Sequence, residues 1–346
     1  MNARPRNKAK RRALALLAAA LLLAAAAATV ATHNRLRLGE TQLIRVPHGT
    51  TYPALLDTLA AHGCLQHKAL FNPMARLRGL RRHISPGCYR VEDGASMAAL
   101  VQRLYAGRQD PVRLTLGKHR TAKSLCDYIG AKLEMSGDSL LRLLGDSAAT
   151  SAYGHTPHTI IALFVPNTYE VYWTLSPQAL LRRMAQECDR FWTPQRRAQC
   201  ERLGLTPTQA TTLASIVEEE TNRQGEKPLI ASVYLNRLRK GMRLQADPTV
   251  RFANGDFSVR RIGGAMLQHP SPYNTYLYPG LPPGPICTPS IASIDAVLAG
   301  TESPYLYFCA NADFSGSHVF ATTLSQHRAN AARFHRALSR RGIRTP

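Results

Sequence analysis

The hydropathy pattern opens with an abrupt switch. Residues 1–12 carry Arg4, Arg6, Lys8, Lys10, Arg11 and Arg12 with no acid, and Ala13–Thr32 follow without a single charge. A helix rising about 1.5 Å per residue over that length matches roughly 30 Å of bilayer hydrocarbon. The run predicts a transmembrane helix over 13–32, with residues 1–12 as a cytoplasmic basic tail and everything after about His33 outside the cytoplasm. A cleaved signal peptide is the competing reading, since Ala28-Thr29-Val30-Ala31-Thr32 offers small residues. The apolar run is nevertheless longer than the roughly 7–15 residues of a signal's hydrophobic stretch. Both readings export the body of the chain.

From Thr41 to Gly107 the pattern alternates short β-branched runs, Leu43–Val46 and Cys88–Val91, with helix-like segments, Tyr52–His62 and Ser96–Tyr105. Gly49, Gly63, Gly87, Gly94 and Gly107 punctuate them. This predicts a small α+β module over 41–110. Helical spacing then covers Thr121–Leu144 and Ser176–Phe191, and the aromatic and β-branched content of Leu163–Trp173 predicts a strand with an irregular start at Pro166-Asn167. Tyr169, Tyr172 and Trp173 read as core rather than as a platform for sugar stacking.

Thr206-Pro207 reads as a helix cap followed by proline in the first turn, and Ala210, Leu213, Ala214 and Val217 repeat at helical spacing as one apolar stripe. Glu218, four residues after Ala214, falls at the edge of that stripe, while Glu219 and Glu220 are placed elsewhere on the turn. A second helix is predicted from Pro228 to Lys240, closed by Gly241. Arg243–Val250 then reads as a short polar run. A proline- and glycine-rich loop through Ser271–Ile286 is stiff enough for a cleft wall. Ser290–Leu298 reads as a helix, Leu306–Ala310 as a buried strand and Leu324–Arg340 as a basic helix. The whole is an α+β protein, with a mixed α+β catalytic domain over 111–346.

The formal charge of +22, from 44 Lys and Arg against 22 Asp and Glu, predicts anionic neighbours. Nucleic acid is disfavoured, because the chain has no RNP-type aromatic motif, no Cys/His finger spacing and no compact basic recognition helix. Seven cysteines are scattered and odd in number, so they read as buried apolar side chains rather than a disulfide framework. No metal site and no cofactor are expected. His318 and His327 lie nine residues apart with no acid between them, and packing or hydrogen bonding is the expected role for both.

A half-buried carboxylic acid can deliver a proton near neutral pH, and Glu218 is the candidate by its position on the stripe. The ordered segments Leu213–Thr221, Ile230–Leu238, Gly241-Met242, Leu244-Gln245, Asp247–Val250, Ser271–Tyr276, Gly280–Ile286, Tyr307-Phe308 and Gly316–Phe320 together resemble the membrane-bound endolytic murein transglycosylase (YceG-like) family. The resemblance implies a lytic transglycosylase that acts on peptidoglycan between N-acetylmuramic acid and N-acetylglucosamine. In it, a glutamate at the position assigned to Glu218 protonates the bridging oxygen and then deprotonates the muramic acid C6 hydroxyl, leaving a 1,6-anhydro end. It further implies internal cuts in nascent strands that end their elongation, a LysM-like module over 41–110, single-pass attachment to the cytoplasmic membrane, and peptidoglycan synthases as partners.

Gln245, Asp247, Tyr273, Asn274 and Thr275, the polar residues inside these motifs, are the expected glycan-binding set. Two departures stand out: Thr115–Thr121 lacks a Pro-Glu-Gly, and Gln326 occupies the position of an acid before His327. Two other classes remain: a peptidoglycan hydrolase using water, with Asp247 as second carboxylate, and a non-catalytic wall-binding scaffold.

Overall fold

The structure, a computed structural model, describes residues 5–259 and 262–342, without the side chains of 5–9, 23 and 26–33. The chain divides into two compact units, Met1–Arg113 with Glu170–Leu175, and Leu114–Tyr169 with Ser176–Pro346. The first unit takes in a short return segment, Glu170–Leu175.

The first unit begins with α1 (Pro5–His33). The predicted membrane span, residues 13–32, lies partly outside the described residues because side chains at 23 and 26–32 are among those left out. Among the described residues no helix is long and apolar enough to cross a membrane.

The compact part of this unit runs β1 (Gln42–Val46), α2 (Tyr52–Ala61), α3 (Lys68–Leu77), β2 (Gly87–Val91) and α4 (Met97–Ala106). β1 and β2 pair antiparallel, Gln42 opposite Val91 and Val46 opposite Gly87. Alternation along β1 sends Ile44 and Val46 into a core with Leu55, Leu59, Phe71, Tyr89 and Leu104, while Arg45 faces out. Thr51 and Ser96 cap α2 and α4 through their hydroxyls, accepting from the amides of Ala54 and Ala99. α3 escapes the periodicity reading because Pro73 sits inside it.

The chain leaves the first unit along β3 (Pro111–Thr115) and returns along β4 (Thr168–Tyr172), which form a two-stranded sheet. The expected strand at 163–173 is shorter than its aromatic run, because a 3₁₀ turn occupies Ile160–Leu163. Tyr169 and Trp173 are buried and Tyr172 is exposed, as alternation along a strand requires.

The second unit contains α5 (Ala122–Lys132), α6 (Gly137–Gly145), α7 (Ser147–Ser151), α8 (Pro177–Phe191), α9 (Pro194–Leu203), α10 (Pro207–Glu220), α11 (Lys227–Arg239), α12 (Asp247–Asn254), α13 (Ile291–Leu298), the hairpin β5 (Tyr307–Ala310) and β6 (His318–Ala321), and α14 (Leu324–Arg340). Its centre is α10, packed against α11 and α13. The N-terminus of α10 is a capping box in which Thr206 and Gln209 satisfy each other's backbone amides.

The single apolar stripe expected on α10 is too narrow. Every residue from Ala210 to Val217 is buried, Thr211, Thr212 and Ser215 included. The three hydroxyls are tolerated there because each donates to a backbone carbonyl of the same helix, Pro207, Thr208 and Thr212 respectively. Two other expectations change as well. The run Arg243–Val250 is not irregular throughout, since α12 starts at Asp247 with Pro248 in its first turn. β5 is half-buried rather than buried, and its residues Phe308, Cys309 and Ala310 line a cleft.

The proline-rich loop is held by close backbone approach. A Cβ on Gly284 would lie 2.0 Å from the carbonyl oxygen of His158. Gly284→Ala is therefore expected to cost about 1–3 kcal/mol of stability, the usual range for overpacking. Denaturant titration checks this, and an unchanged midpoint would show that the loop is free to move away from His158.

Candidate active site

Three consecutive glutamates end α10, and because successive residues on a helix point about 100° apart, each enters a different environment. Glu218 Oε2 accepts from Lys227 Nζ at 3.0 Å, from the hydroxyls of Ser290 and Ser293 at 2.5 Å each, and from the Ser290 amide at 3.2 Å. Lys227 opens α11, and Ser290 caps α13. Burial would raise the Glu218 carboxyl, but the hydrogen bonds from Ser290, Ser293 and Lys227 together outweigh it and hold the group below the usual range. Glu219 lies between Lys118 and Arg120, at 3.1 Å from each. Both glutamates are thus neutralised by fixed partners.

Glu220 differs. It is the last residue of α10 and lines a cleft of about 510 Å³ whose walls come from α11, the segment 244–247, Tyr276, the β5–β6 hairpin and α14. Burial pushes its carboxyl up to about 7, Asp247 adds to the rise, and the hydrogen bond from the Tyr234 hydroxyl works against it without cancelling it. No cation forms a salt bridge to it within 4 Å among the described residues. The result is a carboxyl that is substantially protonated at neutral pH and faces open space.

Of the five expected glycan-binding residues, the structure brings two to this cleft. Gln245 and Asp247 line it, and Asp247 Oδ1 accepts from the Tyr276 hydroxyl at 2.7 Å. The other three do not line this cleft. Asn274 is fully buried and donates to the carbonyls of Leu267 and His269, both at 3.0 Å. Thr275 is buried against Thr249, their hydroxyls 2.8 Å apart, and accepts from the Ala246 amide. Tyr273 packs on Phe252 with ring centroids 4.6 Å apart, and its hydroxyl contacts His158. They hold the loop; they do not face the opening.

The residues that motif reading passes over are Glu220, Tyr234, Arg237, Tyr276 and His318. A signal for Glu220 exists, since Leu213, Val217 and Glu220 follow one another at four and three residues and share a helix face as well as Ala214 and Glu218 do. Arg237 is 7% exposed, and its guanidinium donates to the carbonyls of Leu306, Arg243 and Leu244 and lies 5.1 Å from the Tyr307 ring centroid. Asn236 similarly donates to the carbonyls of Ser303 and Tyr305. Among the described residues no three His, Cys, Asp or Glu side chains are arranged to hold a metal ion. All seven cysteines are free, six of them buried, and Cys309 borders the cleft.

A carboxyl raised to about 7, set in an open cleft beside phenol, amide and guanidinium groups, has the chemistry that general acid/base work needs. The chain belongs to the YceG-like family, whose sequence model matches residues 44–333. It is 27% identical over 300 residues to the endolytic murein transglycosylase of Bacillus subtilis strain 168, covering 82% of each chain. It is 25% identical over 319 residues to the endolytic murein transglycosylase of Streptococcus pneumoniae serotype 2, where the match takes in 84% of this chain and 57% of the relative. The crystal structure of a yceG-like protein from Listeria monocytogenes aligns with a TM-score of 0.56 at 26% identity, over 84% of this chain and 99% of that one.

The Glu218 cluster is testable as a clamp. Lys227→Met alone strands a buried carboxylate and is expected to cost about 3–5 kcal/mol, whereas Lys227→Met with Glu218→Gln recovers most of that. Because the Glu218 carboxyl is held low in the fold, its contribution is present above the unfolded carboxyl value of about 4.3 and lost as pH falls through the lower folded value. Denaturation of both variants from pH 3 to 7 checks the assignment, and a double variant as unstable as the single one would refute it.

Proposed function

We propose that this protein is an endolytic lytic transglycosylase of peptidoglycan in which Glu220, rather than Glu218, is the acid/base. The observation that carries the assignment is the half-buried Glu220 carboxyl raised to about 7 at an open cleft, beside a Glu218 already occupied by Lys227 and two serines. A carboxylate held below the usual range, with four donors on its Oε2, is poorly placed to give a proton near neutral pH. The names carried by the bacillar and pneumococcal relatives support murein as the substrate class.

In this reading Glu220 protonates the oxygen that bridges N-acetylmuramic acid to N-acetylglucosamine as the C1–O bond breaks. The resulting carboxylate takes the proton of the muramic acid C6 hydroxyl while O6 bonds to C1. The proton count closes: the product ends in a 1,6-anhydro ring, no water is consumed and the acid is regenerated. Asp247 and Gln245 border the same cleft and supply hydrogen-bonding groups for sugar hydroxyls. Cuts of this kind in nascent strands would end their elongation, beside peptidoglycan synthases as partners.

The apolar run over 13–32 and the basic residues before it support a single-pass anchor in the cytoplasmic membrane, with both compact units outside the cytoplasm. The strand–helix–helix–strand order of β1, α2, α3 and β2 supports the LysM-like reading of 41–110. Residues 111–346 would then act as the catalytic domain.

The decisive assay incubates the chain with uncrosslinked glycan strands and identifies new ends by mass. Glu220→Gln is expected to lower the cutting rate by about 10²–10⁴-fold, the range for losing a general acid/base. Glu218→Gln is expected to act through stability alone. The rate should fall as pH rises through about 7, because the first step needs the protonated acid. Anhydro ends from the wild type support the lyase, and reducing ends would convert the reading to a hydrolase with Asp247 as second carboxylate. Unimpaired cutting by Glu220→Gln would return the role to another residue, and no cutting by the wild type would favour the scaffold.

A further inference from the structure

The cleft continues past Glu220 into a second recess of about 340 Å³, formed by the Asn311–Ser317 turn and Phe334. Four residues border both spaces: Glu220, Ala310, His318 and Phe334. Only Glu220 and His318 among them have polar side chains. The junction between the two recesses is therefore marked by one carboxyl and one imidazole.

His318 is fixed in place. Its Nδ1 lies 2.8 Å from Glu226 Oε2, and its backbone amide donates to Glu226 Oε1 at 2.9 Å. Thr221 donates to the same carboxylate, and Phe308 meets the imidazole edge-on at a centroid distance of 5.3 Å. Burial would raise the Glu226 carboxyl, but its hydrogen bonds from His318 and Thr221 hold it low, so an anion faces Nδ1. A carboxylate accepting Nδ1–H fixes the tautomer and leaves the other ring nitrogen as the free position. Among the described residues, Nε2 makes no hydrogen bond.

We propose that His318 is a further substrate-contacting residue, its Nε2 bonding a hydroxyl of the sugar at the scissile bond while Glu226 acts as the positioning residue that aims it. The inference rests on Glu220 being the acid, because it places the bond to be cut where the two recesses meet. A glycan strand laid through both recesses has sugars on each side of Glu220, and His318 is the polar group that both sides share. Its contact orients the sugar ring for proton transfer at Glu220 without itself entering a covalent step.

The two ring nitrogens can be separated by substitution, since an Asn amide reaches the position of Nδ1 and a Gln amide reaches that of Nε2. The full chain, with His318→Asn, His318→Gln and Glu220→Gln, is assayed on uncrosslinked strands. His318→Asn, which keeps the Glu226 contact, is expected to lower kcat by roughly 10–100-fold with KM moved much less. His318→Gln, which restores a polar atom at the Nε2 position, is expected to keep a larger share of the rate. Wild-type rates in His318→Asn, or a Gln variant no better than the Asn variant, would overturn the proposal.

A measurement that needs no substitution at His318 guards against a folding defect. Uncleaved strands bound to Glu220→Gln should protect His318 from acylation by diethyl pyrocarbonate, read by peptide mass, and equal labelling with and without strands would also overturn it. Full activity in Glu220→Gln would remove Glu220 as the acid, and the His318 variants would still report separately on the contact.

Discussion

Burial of α10 from Ala210 to Val217 is the constraint on which the rest of the catalytic unit depends. A helix buried on every face through its middle can end only where its neighbours allow, and α11 and α13 meet its last turn through the Lys227–Glu218 pair and the hydroxyls of Ser290 and Ser293. With Glu218 clamped, the rotation of the final turn is fixed. Helical geometry then sends Glu219 to Lys118 and Arg120 and Glu220 into the cleft. Three identical residues in a row acquire three states: an ion pair beside the core, a carboxylate between two basic side chains, and a carboxyl raised to about 7. Local sequence is the same for all three, so the differences come from what each meets in space.

Strain at the cleft is held by the same kind of arrangement. Gln245 adopts a φ of +50°, a left-handed conformation that costs a side-chain-bearing residue about 1–2 kcal/mol. Its amide donates to the Thr275 carbonyl, and the carbonyls of Arg243 and Leu244 just before it accept from Arg237. Thr275 is itself locked to Thr249 and to the Ala246 amide. Asn274, bonded to Leu267 and His269, secures the other end of the same loop. Tyr273, Asn274, Thr275 and Arg237 therefore serve the cleft at one remove. They impose the turn that leaves Gln245 and Asp247 at the opening, an arrangement suited to a preorganised site.

Periodicity made the helices of the second unit legible because their caps are local. Thr206 with Gln209, Thr323 with Gln326 and Ser290 with Ser293 are all visible within four residues, and each marks a helix start in the structure. α3 with its internal proline stayed hidden, as did α12, whose start at Asp247-Pro248 reads equally as a turn. The site was legible as a neighbourhood and not as an assignment. Motif order located the α10 terminus, Gln245 and Asp247, yet the choice among three glutamates depends on Lys227, nine residues on, and on Ser290 and Ser293, more than seventy residues on. The outward or inward facing of Asn274 and Thr275 likewise depends on carbonyls and hydroxyls supplied by other segments.

The three-glutamate terminus also explains why the acid is not placed deeper in the helix. A carboxyl in the middle of α10 would be enclosed by α11 and α13 with no route for a polymer to approach. One placed beyond the helix would be solvated and ordinary in its titration. At the last helical residue, Glu220 keeps the rigidity of α10 while its side chain leaves the core beside Tyr234. Its position at the C-terminal end of the helix acts in the same direction, because the negative end of the helix dipole disfavours an added negative charge. Burial, the nearby Asp247 and the dipole thus favour the protonated form together, and the Tyr234 hydroxyl remains to steady the carboxylate once the proton has gone.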